Sequence, residues 1–183
     1  VRIMYTEYSC YHEPHAKQVE KNIFEAISYG VQGISLLVVN LSILSDMLPK
    51  DMILSCPIDY PYGHGNPSLR MNYALKACHY GANTLDIVAS SFLYQNKHKE
   101  FNEDLVALKK LCDKQKVSGR IMIDYAGLID QEDFVRISSD VSNAGFEHCF
   151  AGVGIFCNDI QDNIILCNIA QRKSGLKAIA NSN

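Results

Sequence analysis

Apolar runs alternate with amphipathic runs along the whole chain. The apolar runs are short and nearly continuous, a pattern typical of strands that are buried on both faces of a parallel sheet. They predict seven strands, near residues 2–9, 33–40, 52–58, 84–90, 119–127, 148–154 and 176–180. The amphipathic runs between them predict helices, so the chain reads as repeated strand and helix units.

Helix punctuation supports this division. A helix is predicted from Pro14 to Gly30, and a later one begins with Asn66 as its cap and ends at Gly81. The helix after the fourth strand is predicted to start near Asn102. Two further helices are predicted from about 130 to 145 and from about 158 to 173.

Strict alternation of strand and helix predicts an α/β fold, a TIM (β/α)8-type barrel that is incomplete because its last strand is missing. A doubly wound open sheet is the competing architecture, but no G-x-G-x-x-G follows the first strand. A length of 183 residues fits one domain, and we expect residues 1–183 to form a single α/β barrel domain.

Composition excludes several classes of function. A net charge of -3 provides no broad basic surface, so nucleic acid is not an expected partner. No apolar run approaches the length of a membrane-spanning helix, and the start resembles no signal peptide. We therefore expect a cytoplasmic protein that does not bind a membrane. Seven cysteines without a C-x-x-C pair indicate reduced thiols rather than a disulfide framework.

Three of the charged residues inside predicted strands are candidate site residues. Asp86 is in the fourth strand, Asp124 is late in the fifth, and Lys177 is in the seventh, each with apolar neighbours. A lone buried charge costs several kcal/mol, so these groups should be paired or should face a wet site. They are either structural polar residues or a lysine and carboxylate pair that moves protons in carbonyl chemistry.

Several segments resemble the deoxyribose-phosphate aldolases. The stretch "YPYGHGNPSLRMNYALKACHYGANTLDIV" is similar to that family's third-strand loop, helix and fourth strand, which carries one aspartate. "VEKNIFEAISYGVQGISLLVVN", "RIMIDYAGLIDQEDF" and "AGFEHCFAGVG" resemble its first helix and second strand, its fifth strand and its sixth strand. The resemblance runs from about residue 6 to residue 180 in motif order and spacing.

The resemblance implies a carbon–carbon lyase that acts on a small, sometimes phosphorylated, aldehyde or sugar. Asp86 and Lys177 match the family's two proton-handling catalytic residues, but Phe150 stands where the Schiff-base lysine belongs. Phenylalanine has no nucleophilic nitrogen, so this position cannot form an imine. The phosphate loop is replaced by "ANSN". We expect substrate contacts from Asp124, Gly154 and Asn40, which lie late in predicted strands.

Histidine, cysteine and tyrosine side chains provide weaker evidence for a functional site. His12 and His15 follow the first strand and His64 follows the third, but two histidines without a third ligand rarely bind metal, so no metal and no cofactor is expected. Strand alternation turns Cys149 toward the helices. Tyrosines near the ends of the first and third strands, at 5, 8, 11, 60 and 62, line a pocket or contact surface or, as we prefer, simply pack.

Two functions of different classes follow. The first is an aldolase-like lyase whose standard Schiff-base activity is lost or altered, with Lys177 as one alternative imine-forming residue. The second is a catalytically silent structural or protein-binding module in a larger assembly. The absent nucleophile and the absent phosphate loop favour the second, and the retained Asp86 and Lys177 favour the first. Without an eighth strand, the first and seventh strands would expose unpaired edges, so we expect an oligomer or a partner chain to cover them.

Overall fold

The computed structural model describes residues 6–124, 131–153 and 160–179. Seven strands are present in them: β1 Glu7–Cys10, β2 Gly33–Leu36, β3 Ile53–Ile58, β4 Thr84–Val88, β5 Ser118–Met122, β6 His148–Phe150 and β7 Lys177–Ile179. The helices are α1 Ala16–Ser28, α2 Val38–Leu44, α3 Pro67–His79, α4 Ser91–Asn96, α5 His98–Gln115, α6 Gln131–Asn143 and α7 Ile160–Ser174, and a 3-10 turn, Ser45–Met47, follows α2.

The strands form one parallel sheet in the order β1 to β7, each paired with the next along the chain. A doubly wound sheet would reverse its strand order at a switch point, and this sheet does not. The predicted α/β class with an incomplete TIM-type barrel is therefore confirmed. In the part of the chain that the structure describes, β1 and β7 are the two edges of the sheet.

Local sequence signals account for the best-predicted helices. Asn66 caps α3 by accepting a hydrogen bond from the Ser68 amide, and Pro67 occupies the first helical position. Gly81 follows the helix at a φ of +94°, which favours glycine. Helix α1 buries Val19 and Ile23 on the face that packs on the sheet.

Two predicted boundaries are wrong. Strand β2 ends at Leu36, and the rest of its apolar run forms α2, so Asn40 lies on a helix rather than in a strand. An unbroken apolar run does not show where a strand gives way to a helix. After β4, the chain becomes helical at Ser91, with Ser90 as the cap of α4, well before the predicted start near Asn102.

Among the described residues, the buried apolar side chains form two clusters. The larger one fills the space between the sheet and the helices. The smaller one, here called the interior cluster, consists of Val88, Met122, Phe150 and Val153, with Tyr60 packed against it. Within the described ranges, no helix is both long enough and apolar enough to cross a membrane.

Candidate functional site

The site develops from one row of paired residues across the second half of the sheet. Asp86 on β4 pairs in register with Arg120 on β5, Arg120 with His148 on β6, and His148 with Lys177 on β7. Residues in register on neighbouring strands share one face of a sheet, so these four side chains begin on the same face. The row places three cationic or titratable nitrogen groups next to one carboxylate.

Arg120 lies between two carboxylates. Its Nε donates to Asp86 Oδ1 at 2.6 Å and its Nη2 donates to Asp86 Oδ2 at 2.9 Å. The same guanidinium donates to both carboxylate oxygens of Glu7 on β1, with Nη2 at 2.8 Å from Oε2. We call Glu7, Arg120 and Asp86 the interior ion triad; its bidentate geometry suits the planar guanidinium.

The interior ion triad is shielded from solvent, with side-chain exposures of 15% for Glu7, 6% for Arg120 and 3% for Asp86. Burial raises the pKa of Asp86, and the neighbouring Arg120 opposes that rise. Burial alone would lower the pKa of Arg120, but its bonds to Glu7 and Asp86 outweigh burial and raise it. Arg120 therefore stays charged, and Asp86 is occupied as its counterion.

The residue at the expected Schiff-base position belongs to the same arrangement. The guanidinium carbon of Arg120 lies 5.1 Å from the centre of the Phe150 ring, within the range of a cation–π contact. Phe150 and Val153 are 6% and 1% exposed, and they pack with Val88 and Met122 in the interior cluster. Apolar side chains therefore fill the interior next to Asp86.

The two predicted catalytic residues, Asp86 and Lys177, lie on β4 and β7, which β5 and β6 separate in the sheet. Asp86 is buried and ion-paired, as one of the sequence alternatives required. Lys177 is 69% exposed and pairs with Glu147 at 3.4 Å, which agrees with the expectation that these charged groups are paired or face solvent; its strand, β7, is an edge of the described sheet. The catalytic roles predicted for both residues stay predictions.

Two of the three residues predicted to contact substrate are described, and they lie on different parts of the fold. Asp124 is buried just after β5, and Asn40 is buried on α2. Gly154 falls outside the described residues. Substrate contact by any of the three stays a prediction.

The aromatic and histidine groups mostly pack. Tyr11 shares a hydrogen bond of 2.6 Å with Ser35, and its ring centre lies 4.7 Å from that of Tyr60. Burial, together with the nearby Asp86 charge, raises the pKa of Tyr11. His64 stacks on Tyr62. Within the described ranges, no three histidine, cysteine or acidic side chains are grouped to hold a metal ion.

Cys149 packs in the cluster between sheet and helices, as alternation predicted. Burial raises the pKa of its thiol to about 12, with a smaller contribution from Cys167 on α7. A thiol with so high a pKa is almost entirely protonated at neutral pH and is a poor nucleophile.

Sequence reasoning missed two arginines. Arg120 is a cation at an inward position of β5, and its two-residue spacing from Met122 and four-residue spacing from Asp124 was the available signal. Arg70 on α3 is 2% exposed and donates to the Val88 carbonyl at 2.6 Å. It also pairs with Asp59 at 3.3 Å and with Asp104 at 3.4 Å. Arg70 thus ties the loop after β3 to β4 and α5.

Comparison with known proteins agrees with this architecture. The sheet order and the covering helices are those of an incomplete TIM-type α/β barrel. A curated deoxyribose-phosphate aldolase from Metamycoplasma arthritidis (strain 158L3-1) is 24% identical over 164 residues, which cover 87% of this chain and 74% of that protein. The sequence and fold of this chain resemble those of the deoxyribose-phosphate aldolases, as its motifs predicted. No protein-family model matches the chain.

Solved structures show the same fold. A deoxyribose phosphate aldolase from Aeropyrum pernix superposes with a TM-score of 0.85 at 18% identity, covering 97% of this chain and 75% of that one. An aldolase named QR15 superposes with a TM-score of 0.82 at 15% identity, covering 96% and 78% of the two chains.

Proposed function

We propose that this protein is an aldolase-like barrel in which the Schiff-base step from the sixth strand has been lost. In this proposal the chain acts as a binding or structural module rather than as a deoxyribose-phosphate aldolase. One observation carries the proposal. Phe150 stands at the expected lysine position, and Arg120 lies over its ring while it holds Asp86.

Two physical arguments support the loss. An imine needs an unprotonated amine beside the carbonyl carbon, and the interior cluster around Phe150 supplies none. A carboxylate that relays protons must also exchange its partners during the reaction. Asp86 instead accepts two hydrogen bonds from a permanently charged guanidinium, which strongly favours one fixed arrangement.

A second candidate function rests on Lys177. This lysine shares the inward register of Asp86 and Arg120, its side chain is 69% exposed, and its ammonium pairs with Glu147 at 3.4 Å. An exposed amine is accessible to a small aldehyde. Lys177 is therefore the residue that we would expect to carry a displaced imine, in a carbon–carbon lyase acting on a small carbonyl compound.

Borohydride trapping separates the two functions. The purified chain is incubated with acetaldehyde or with deoxyribose 5-phosphate, reduced, digested and analysed by mass spectrometry. The module proposal predicts no adduct at any lysine above the level of an unrelated protein with a similar lysine content. An adduct confined to Lys177 and absent from Lys177→Met would overturn the module proposal in favour of the lyase.

A matched control guards against nonspecific labelling. Lys97 is an exposed lysine, 52% accessible, that pairs with Glu100 at 3.2 Å. Equal modification of Lys97 and Lys177 would mean that aldehyde reacts with surface amines in general, which supports the module proposal. Preferential labelling of Lys177, with cleavage of deoxyribose 5-phosphate, supports the lyase.

A further inference from the structure

A crevice lies between α2 and α3, away from the interior ion triad. It consists of two adjoining cavities, of about 600 Å³ and about 250 Å³, and Ser42 and Tyr80 line both of them. A cavity of the larger size can hold a small organic molecule. The two cavities differ in the chemistry of their walls, and this difference indicates what kind of molecule fits.

The walls of the larger cavity are mostly apolar and aromatic. Val39 on α2 and Leu69 and Tyr73 on α3 are among its lining residues, and they are 62%, 60% and 55% exposed. At the end of this cavity near the start of α3, Asp59 is already paired with Arg70 at 3.3 Å. That end therefore offers no free cation, and the wall leading away from it is suited to a hydrocarbon group.

Uncompensated charge lies at the opposite end, where the two cavities adjoin. Asp46, Lys50 and His79 line the smaller cavity, and Lys76, in the last turn of α3, lines the larger one. None of these four side chains forms an ion pair within the part of the chain that the structure describes. Two lysines against one aspartate leave one positive charge at this end, before His79 is counted.

The end of α3 is compatible with an anion at this place. The last carbonyl groups of a helix carry partial negative charge and repel anions. In α3, the Ala77 carbonyl accepts a hydrogen bond from the Ala82 amide at 3.0 Å, and the Cys78 carbonyl accepts one from the Gly81 amide at 3.1 Å. These bonds satisfy the carbonyl groups within the chain and reduce that repulsion, so the lysine side chains determine the sign of the charge.

We propose that the crevice binds an amphipathic monoanion, a hydrocarbon chain of medium length that ends in a carboxylate. Lys50 and Lys76 hold the carboxylate where the cavities adjoin, and the chain runs along α3 toward Leu69, beside Val39 and Tyr73. Lys76 and Leu69 are seven residues apart on α3, which is about 10 Å along the helix axis. One net positive charge beside an apolar wall selects such a ligand over a small polar anion. This proposal is independent of the chemistry assigned to the barrel interior.

Isothermal titration calorimetry of the purified chain with octanoate tests the site. Octan-1-ol has the same chain without the charge and should bind at least about fivefold more weakly. Butyrate has the same charge on a short chain and should bind far more weakly still, because each methylene that is buried strengthens binding by up to about fourfold. The proposal is overturned if octanoate does not bind, or if either of the other two compounds binds as tightly as octanoate.

A charge-reversal variant locates the carboxylate. Lys76→Glu changes an exposed side chain and should raise the dissociation constant of octanoate about tenfold, because it puts a carboxylate where the ligand carboxylate belongs. Lys114→Glu is the matched control, since Lys114 is an exposed lysine in the last turn of α5. Equal weakening by both variants would show that net charge alone attracts the anion, and it would overturn the proposal.

A wall variant locates the hydrocarbon chain. Leu69→Asn should raise the dissociation constant of octanoate about threefold or more. Ile164→Asn is its control, because Ile164 is an apolar residue of α7 with a similar exposure of 50%. Circular dichroism verifies that each variant is folded. Octanoate binding that Leu69→Asn leaves unchanged, or that Ile164→Asn weakens equally, places the chain elsewhere and contradicts the proposed site.

Discussion

Arg120 and Phe150 come together in the barrel interior, with the guanidinium carbon of Arg120 5.1 Å from the centre of the Phe150 ring. The same guanidinium neutralises Asp86, 34 residues earlier in the chain. The charge that compensates Asp86 therefore comes from the fifth strand, while the sixth strand contributes an apolar ring. The contacts of Arg120 therefore predict how substitutions at this position and at Phe150 change the free energy of unfolding.

Replacing Arg120 with methionine should strongly destabilise the fold. Arg120→Met leaves the buried carboxylate of Asp86 and the half-buried carboxylate of Glu7 close together without a cation, and breaking a buried pair costs about 3 to 5 kcal/mol. Urea unfolding at neutral pH measures the loss. Arg136→Met is the control, since its pair with Glu132 at 3.1 Å is on the surface and should matter by no more than about 1 kcal/mol. Similar losses in both variants would contradict a stabilising triad.

Placing a lysine at position 150 should be tolerated only when Arg120 is removed. Phe150→Lys brings an ammonium group beside the guanidinium inside an apolar cluster, so it should destabilise the protein. In the Phe150→Lys and Arg120→Met double variant, the new ammonium can serve Asp86. The two changes should then cost at least about 1 kcal/mol less than their separate sum.

A second double variant checks that this coupling is local. Phe101 is also buried, but it lies in the cluster between sheet and helices. Phe101→Lys combined with Arg120→Met should show additive losses of unfolding free energy. Non-additivity of equal size in both pairs would mean that a general loosening of the fold, and not the Arg120 and Phe150 contact, produces the effect.

Arg70 should be as important for the loop after β3 as Arg120 is for the interior. Arg70→Met removes the donor to the Val88 carbonyl and leaves Asp104, whose side chain is 3% exposed, without its cation. We expect a loss of about 3 kcal/mol or more in urea unfolding. Adding Asp104→Asn should recover part of it, because the buried charge is then gone. A loss that Asp104→Asn only deepens would contradict this explanation.

The extent of successful sequence prediction has a physical basis. The strand number and order were predictable because each buried strand is a short apolar run followed by helix punctuation such as Asn66 and Pro67. The end of β2 was not, because "LLVVN" is apolar through both the strand and the helix. Asp86 could be identified from the sequence as a buried charge that needs a partner. Arg120 could not be identified as that partner, because the two residues meet only through the register of β4 and β5.

His148 pairs in register with Arg120 on one side and Lys177 on the other, and these neighbours should make the free energy of unfolding depend on pH. Burial lowers the pKa of His148, and the positive charges of Lys177 and Arg120 lower it further while Glu147 opposes them. The folded state then holds a proton on this imidazole less readily than the unfolded state, whose histidine titrates at about 6.5. The stability associated with a neutral His148 is therefore fully present above about pH 6.5, and it is lost as the pH falls below that value.

His148→Gln should flatten this part of the profile, since glutamine does not titrate. The expected difference is less than about 1.4 kcal/mol per pH unit, because His148 is only half-buried and water screens its neighbours. Lys177→Met removes one of the two cations, so it should move the pKa of His148 back toward its ordinary value, and an NMR titration of the imidazole measures that shift. If His148→Gln loses stability with falling pH as steeply as the unmodified chain, other groups carry the dependence. If the pKa of His148 is unchanged in Lys177→Met, solvent screens the exposed Lys177 ammonium completely, and its charge does not act on His148.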